Sequence, residues 1–252
     1  MRFAGKVALI TAGGRGIGKA VATELIRGGA AVALNDIDGE RLAATADELR
    51  REGAKVSTHV GSVTDEAFVN RMAEEAAAAH GKIDLLLNNA GGGPPATPWR
   101  ELTETSIADF RAFMDMNFMS QVMVLKSVLP GMLARGYGKV VCVSSFSAVL
   151  GQEAGAPYAS GKAALHGLVA SVSKEVARQG VTINAVVLGN PPHPSRTDAR
   201  QAFLDKLSHF DRVGRLEEFG KAIAFFLSDD SSYMSGAAIP IDGGIMVPRL
   251  NE

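Results

Sequence analysis

The chain of 252 residues carries a single cysteine, a single tryptophan and a formal net charge of only −1. One cysteine excludes an intrachain disulfide framework and any cysteine-cluster metal site. Cys142 lies within the apolar run 140–143 and reads as a small core residue rather than a reactive thiol. A charge near zero, with basic residues dispersed among acidic ones, gives no purchase on nucleic acid or an anionic membrane. No apolar run approaches the length of a membrane span. The five histidines have no metal-ligand spacing, so no metal is expected. The N-terminus enters an apolar run at residues 6–11, leaving no room for a signal peptide, so a cytoplasmic protein is expected. What remains is ordinary globular material: 46% hydrophobic and 21% charged, enough for a sizeable core.

Short apolar, β-rich runs alternate with helical patterns. Strands are predicted at 7–11, 31–35, 55–60, 83–87, 140–143, 182–187 and 237–241. Helices are predicted at 16–27, 39–52, 65–80, 106–135, 157–179, 199–208 and 217–227. The strand runs are continuously apolar, which marks strands covered on both faces. Strand–helix alternation of this length implies right-handed crossovers and a parallel sheet. The expected fold is a single doubly wound Rossmann-type α/β domain over residues 1–252, with the core in 1–190 and a substrate loop at 191–215.

Between the first strand and first helix runs Thr11-Ala12-Gly13-Gly14-Arg15-Gly16-Ile17-Gly18. Glycines let backbone amides approach a pyrophosphate, and the helix N-terminus adds partial positive charge. Gly13, Arg15, Gly16, Ile17 and Gly18 are therefore candidate dinucleotide-binding residues. Asp36 ends the second strand, where a carboxylate accepts hydrogen bonds from ribose hydroxyls. A 2′-phosphate near 4 Å would meet a like charge, costing roughly 4 kcal/mol at an effective dielectric of 20. Arg15 argues the other way, since it could reach such a phosphate. Asp36 faces the ribose directly and outweighs it, so NAD is expected over NADP.

Tyr158 and Lys162 stand four residues apart at the start of an apolar helical stretch, on one helix face. An ammonium beside a phenol favours the phenolate, drawing its pKa down from about 10. Tyr158 is thus a candidate acid–base group for a hydroxyl or carbonyl.

Taken in order, these motifs resemble the short-chain dehydrogenase/reductase family over nearly the whole chain. Thr11–Gly18 is similar to its cofactor turn, and Asn88-Asn89-Ala90-Gly91 to its Asn-Asn-Ala-Gly segment. Tyr158 and Lys162 match its Tyr-xxx-Lys pair, and Ile241-Asp242-Gly243-Gly244 follows its C-terminal pattern. The resemblance implies catalytic roles for Asn117, Ser145, Tyr158 and Lys162. Ser145 would hydrogen-bond the substrate oxygen, Lys162 would contact the nicotinamide ribose, and Asn117 would hold a water. It also implies that Ser62, Val63, Asn89, Ala90, Gly91 and Gly189 line the cofactor, with Tyr158 and Lys162 at its nicotinamide end. The implied activity is NAD-dependent interconversion of a secondary alcohol and a ketone. The alternatives are an NADPH-dependent reductase of 3-oxoacyl carrier-protein type, or a cofactor-binding protein without efficient turnover.

The chain departs from the family pattern in places. Ala12 replaces a signature glycine, which a negative φ would tolerate. Gly161 replaces a common serine and weakens its helix slightly. After the sixth strand, Asn190-Pro191-Pro192-His193-Pro194 replaces the usual segment, with His193 at the position of a nicotinamide-contacting threonine. That loop reads as rigid with an exposed histidine, and His166 as an ordinary helix residue. Trp99, Phe146, Val149, Leu150, Phe203 and Leu207 offer apolar walls, with Gln152, Glu153 and His193 as polar handles. A small or medium cyclic or aryl alcohol suits them. The apolar excess on helices 106–135 and 157–179 implies a homotetramer, with a dimer as the alternative.

Overall fold

The apolar runs become seven parallel strands: β1 (Val7–Ile10), β2 (Ala31–Asp36), β3 (Val56–Val60), β4 (Leu85–Asn88), β5 (Gly138–Ser145), β6 (Val181–Leu188) and β7 (Ala238–Ile241). In this computed structural model, which describes residues 1–192 and 197–248, they form one sheet in the order β3-β2-β1-β4-β5-β6-β7. The side chain of Arg200 also lies outside the description. The order reverses at β1, which pairs with β2 on one side and β4 on the other. A crevice for a ligand opens at such a switch point, above the C-terminal strand ends. The doubly wound parallel fold is as expected.

Strand alternation distributes the core to two layers. Ala8 and Ile10 of β1 point to one face, with α1 (Gly16–Arg27), α2 (Gly39–Arg51) and α9 (Leu216–Phe226). Leu9 points to the other, with α3 (Glu66–His80), α5 (Ser120–Arg135) and α7 (Ala156–Val176). Both faces are covered, which explains why the strands carry no polar alternation. Cys142 is fully buried in the second layer, and burial pushes its thiol up to about 12. It is an inert core residue, as expected. No helix among the described residues is long and apolar enough to cross a membrane.

The helix predicted at 106–135 is not continuous. It comprises α4 (Ile107–Met114), a π-helical turn (Asp115–Met119) and α5. Side-chain bonds back onto the chain accompany the widened turn: Asn117 Nδ2 donates to Phe113 O at 3.0 Å and Ser120 Oγ to Met116 O at 2.7 Å. A short α6 (Ser147–Leu150) follows β5, and α8 (Asp198–Leu207) precedes α9. His193, Pro194, Ser195 and Arg196 lie outside the described residues, so the expectation for His193 has no structural counterpart here.

Candidate active site

The turn after β1 is shaped for close backbone approach. A Cβ on Gly14 would stand 2.8 Å from Asp36 Oδ2, and one on Gly18 would stand 2.2 Å from the Ala12 carbonyl oxygen. Only glycine fits either place. Asn89 clamps the turn from β4, its Nδ2 donating to the carbonyls of Thr11 at 3.0 Å and Ala12 at 3.2 Å. The Thr11 hydroxyl accepts from the amides of Asn89 and Ala90, both at 2.9 Å. Ala12 contradicts its expectation: its φ is +50°, in the left-handed region. The clamp on its carbonyl holds the strained conformation that glycine would adopt freely.

Beside this turn lies a cleft of about 360 Å³ lined by Arg15, Asp36, Ser62, Val63, Ala90 and Gly91, among others. Gly13, Gly16 and Gly18 belong to the turn itself, whereas the Ile17 side chain enters the core, leaving only its backbone for a ligand. Gly189 directly follows β6, packed so closely that a Cβ would meet Asp242 Cα at 2.6 Å. Asp36 is buried, and its oxygens accept from the amides of Gly14 and Asp38, each at 3.1 Å. Arg41, in the first turn of α2, stands 3.8 Å from Asp36 and also pairs with Asp38. It was absent from the sequence reading, although its place three residues after the Asp38 N-cap is a usable signal.

The residues expected to be catalytic meet on β5 and α7. Ser145 ends β5, and the Tyr158 phenol stands on the first turn of α7, which packs against that strand. Burial raises the phenol above its ordinary value, and the Ser145 hydroxyl opposes that rise. The expected depression by Lys162 is therefore not what governs Tyr158 here; the ammonium stands 6.0 Å from the ring centroid. Lys162 is 3% exposed, and burial lowers it to about 8. Its Nζ donates to Val143 O at 2.8 Å. Ser144, one residue before Ser145, bonds the Lys162 carbonyl at 3.1 Å and His166 Nε2 at 2.9 Å. Burial lowers the His166 pKa, and the side chain is a structural tie to Ser144.

Asn117 faces the same space from the π-helical turn. Its amide exchanges two hydrogen bonds of 2.8 Å with the backbone of Gly92. A Cβ on Gly91 would stand 2.6 Å from Lys162 Nζ and 2.9 Å from Asn117 Oδ1, so the Asn-Asn-Ala-Gly segment is packed between them. Gly161 has a packing role beyond its helix propensity, since a Cβ there would press Asn117 Cβ at 3.1 Å. Ser147 was also missed. Its amide donates to Ser145 Oγ at 3.2 Å, and its hydroxyl donates to Gln152 Oε1 at 3.0 Å. Its place two residues beyond Ser145 was the only signal available.

A second pocket of about 400 Å³ collects Phe146, Gln152, Glu153, Phe203, Leu204 and Leu207 with the backbone of 151–154. Val149 and Leu150, expected in the same walls, stand exposed. Trp99 instead packs against Tyr158.

Comparison with known proteins agrees with this geometry. Residues 11–246 match a family model described as enoyl-(acyl carrier protein) reductase. The chain is 34% identical to 3-oxoacyl-(acyl-carrier-protein) reductase FabG of Thermotoga maritima, covering 98% of this chain and 100% of that protein. It is 32% identical to 2-dehydro-3-deoxy-L-rhamnonate dehydrogenase (NAD(+)) of Sphingomonas sp., covering 96% of each. The crystal structure of levodione reductase superposes with a TM-score of 0.92 at 30% identity, covering 98% of this chain and 100% of that one. With the ordered motifs, the switch-point crevice and these matches together, the chain belongs to the short-chain dehydrogenase/reductase family, as an NAD(P)-dependent oxidoreductase acting on CH–OH groups.

Proposed function

We propose that the protein interconverts a secondary alcohol and a ketone with NAD(H), Tyr158 exchanging the proton at the substrate oxygen. The observation that carries this reading is the buried Lys162 one helical turn after Tyr158 on α7, with Ser145 ending the adjoining β5, beside the cleft that ends at Asp36. The residues fit a dinucleotide: a Cβ would clash at Gly14 and Gly18 of the turn, and Asp36 stands at the far end. Gly13, Arg15, Gly16, Ile17, Gly18, Asp36, Ser62, Val63, Asn89, Ala90, Gly91 and Gly189 would hold it. When bound, the nicotinamide supplies or accepts the hydride.

The chain's own residues manage the proton. Ser145 holds the substrate oxygen within reach of the Tyr158 hydroxyl, so that proton transfer accompanies the change at carbon. The buried Lys162 ammonium, fixed on Val143 O, favours the phenolate once Tyr158 has given its proton. Asn117 ties the Gly92 backbone to α4 and keeps Lys162 walled in. Phe146, Phe203, Leu204 and Leu207 favour a substrate with a hydrocarbon body, of which a small cyclic or aryl alcohol is the simplest. Phe203, Leu204 and Leu207, within the expected substrate loop 191–215, supply part of that wall, and a homotetramer is the assembly we expect.

One observation favours a second reading. Arg15 and Arg41 share the cleft with Asp36, and Arg41 offsets the carboxylate's charge. Those two guanidinium groups suit a 2′-phosphate, and with it NADPH-dependent reduction of an acyl substrate, as the name of the Thermotoga relative suggests. Titration with NADH and with NADPH, followed by nicotinamide fluorescence, separates the two. Tighter NADH binding supports Asp36 as selector; tighter NADPH binding overturns it in favour of Arg15 and Arg41.

A further inference from the structure

Trp99 is the only tryptophan of the chain, and it sits on the proton-exchanging tyrosine. Its indole meets the Tyr158 ring edge-to-face, centroids 5.3 Å apart at 61°. It meets Phe113 in the same way at 5.1 Å and 71°. Phe113 is 1% exposed in α4, and its carbonyl accepts from Asn117 Nδ2, so it is a fixed support. Trp99 itself is 44% exposed. One side of the indole thus leans on Phe113 and on Tyr158, while the rest meets solvent.

The loop that delivers Trp99 is built for this placement. Residues 91–98 turn twice through the left-handed region, at Gly92 (φ +123°) and at Ala96 (φ +58°). A bond from the Thr97 amide to Pro94 O, 3.2 Å, closes the second turn. A Cβ on Gly93 would stand 2.9 Å from Trp99 Nε1, so only glycine lets the indole seat. A non-glycine residue held at positive φ is strained and persists where surrounding contacts over-determine it.

We propose that Trp99 is a positioning residue for Tyr158, clamping the phenol between the α4 frame and the substrate mouth and keeping water from its ring. Edge-to-face ring pairs resist rotation of either partner, and misplacing a reacting group by 1 Å can cost about 100-fold in rate. The role rests on Tyr158 acting as proposed above.

The test combines two readouts on the intact protein. Steady-state kinetics with a cyclic alcohol such as cyclohexanol compare Trp99→Ala, Trp99→Phe and Gly93→Ala, with cofactor affinity measured separately by NADH fluorescence. Trp99→Ala is expected to lose roughly 10- to 100-fold in kcat with cofactor affinity unchanged. Its alkaline pH midpoint moves down, because exposing the phenol removes the burial that raises it. Trp99→Phe, which keeps a ring, restores most of the rate, and Gly93→Ala, which pushes the indole, loses rate in the same direction. Independently of turnover, Tyr158→Ala should red-shift the emission of this lone tryptophan, whereas Tyr233→Ala should not. Unchanged kcat and pH midpoint in Trp99→Ala overturn the proposal, as does a loss that tracks cofactor affinity. Should the wild type turn over no alcohol or ketone, the proposed function fails by itself; an unshifted emission in Tyr158→Ala then overturns the clamp as well.

Discussion

Along the crevice above the sheet, the proposed cofactor end and the proposed substrate end are held by different forces. At the cofactor end, short polar groups do the fixing: Asn89 onto Thr11 and Ala12, Asp36 onto Gly14 and Asp38, and the Thr45 hydroxyl onto Gly14 O at 2.7 Å. At the substrate end, rings and apolar side chains take over: Trp99 on Tyr158, with Phe146 and Phe203 lining one pocket. Hydrogen-bonded turns hold one geometry, which suits a ligand that does not vary. Apolar walls accept many shapes, and this is how one fold serves many substrates. Strain is shared by both ends, since three of the positive-φ residues other than glycine, Ala12, Ala96 and Ala154, lie in these turns.

The seam between the two ends is where the largest effect is expected. Gly91→Ala would drive a methyl against Lys162 Nζ and Asn117 Oδ1. It should cut turnover by about 100-fold, more than it weakens the fold, with kcat and melting temperature measured together. A change confined to the cofactor end tests the hydrogen-bonded half. Asn89→Ala strands two carbonyls of the turn and should destabilise by about 1–3 kcal/mol in denaturant unfolding, with weaker NADH binding.

Lys162 sharpens the contrast between stability and function. Its folded pKa, about 8, lies below the unfolded value, so the penalty for burying it is fully present below pH 8 and is relieved as pH rises toward 10.4. Lys162→Met should therefore increase stability at pH 7 by about 1–2 kcal/mol after losing the Val143 bond, seen as a higher melting temperature, while abolishing activity. The gain should shrink at pH 10. The smallest effect belongs to Ala12→Gly, which relieves a left-handed alanine but loosens the unfolded chain. A net stabilisation of about 0.5–1 kcal/mol is expected, with cofactor binding unaltered.

The cofactor end was the more legible in sequence. Its glycines, Asp36 and the strand–turn–helix order are local, and local chemistry survives into the fold. The sheet was legible for the same reason, because strands buried on both faces announce themselves as unbroken apolar runs. Ala12 was misjudged because a methyl group says nothing of φ; the Asn89 clamp that imposes it comes from a distant strand. The break in 106–135 was hidden because Asn117 and Ser120 resemble ordinary helix residues until their side chains bond back to Phe113 and Met116. Arg41, Ser147 and the Trp99–Tyr158 contact depend on loops meeting in space. The effect of burial on Tyr158 could not be read from its spacing to Lys162, since spacing gives proximity and not solvent access.

The central claim is that Tyr158 moves the proton while the rest of the crevice binds the cofactor. The direct test is Tyr158→Phe, with NADH affinity and alcohol oxidation measured on the same preparation. The account predicts unchanged NADH binding with turnover reduced by at least about 100-fold. Unaltered turnover in that variant would contradict it.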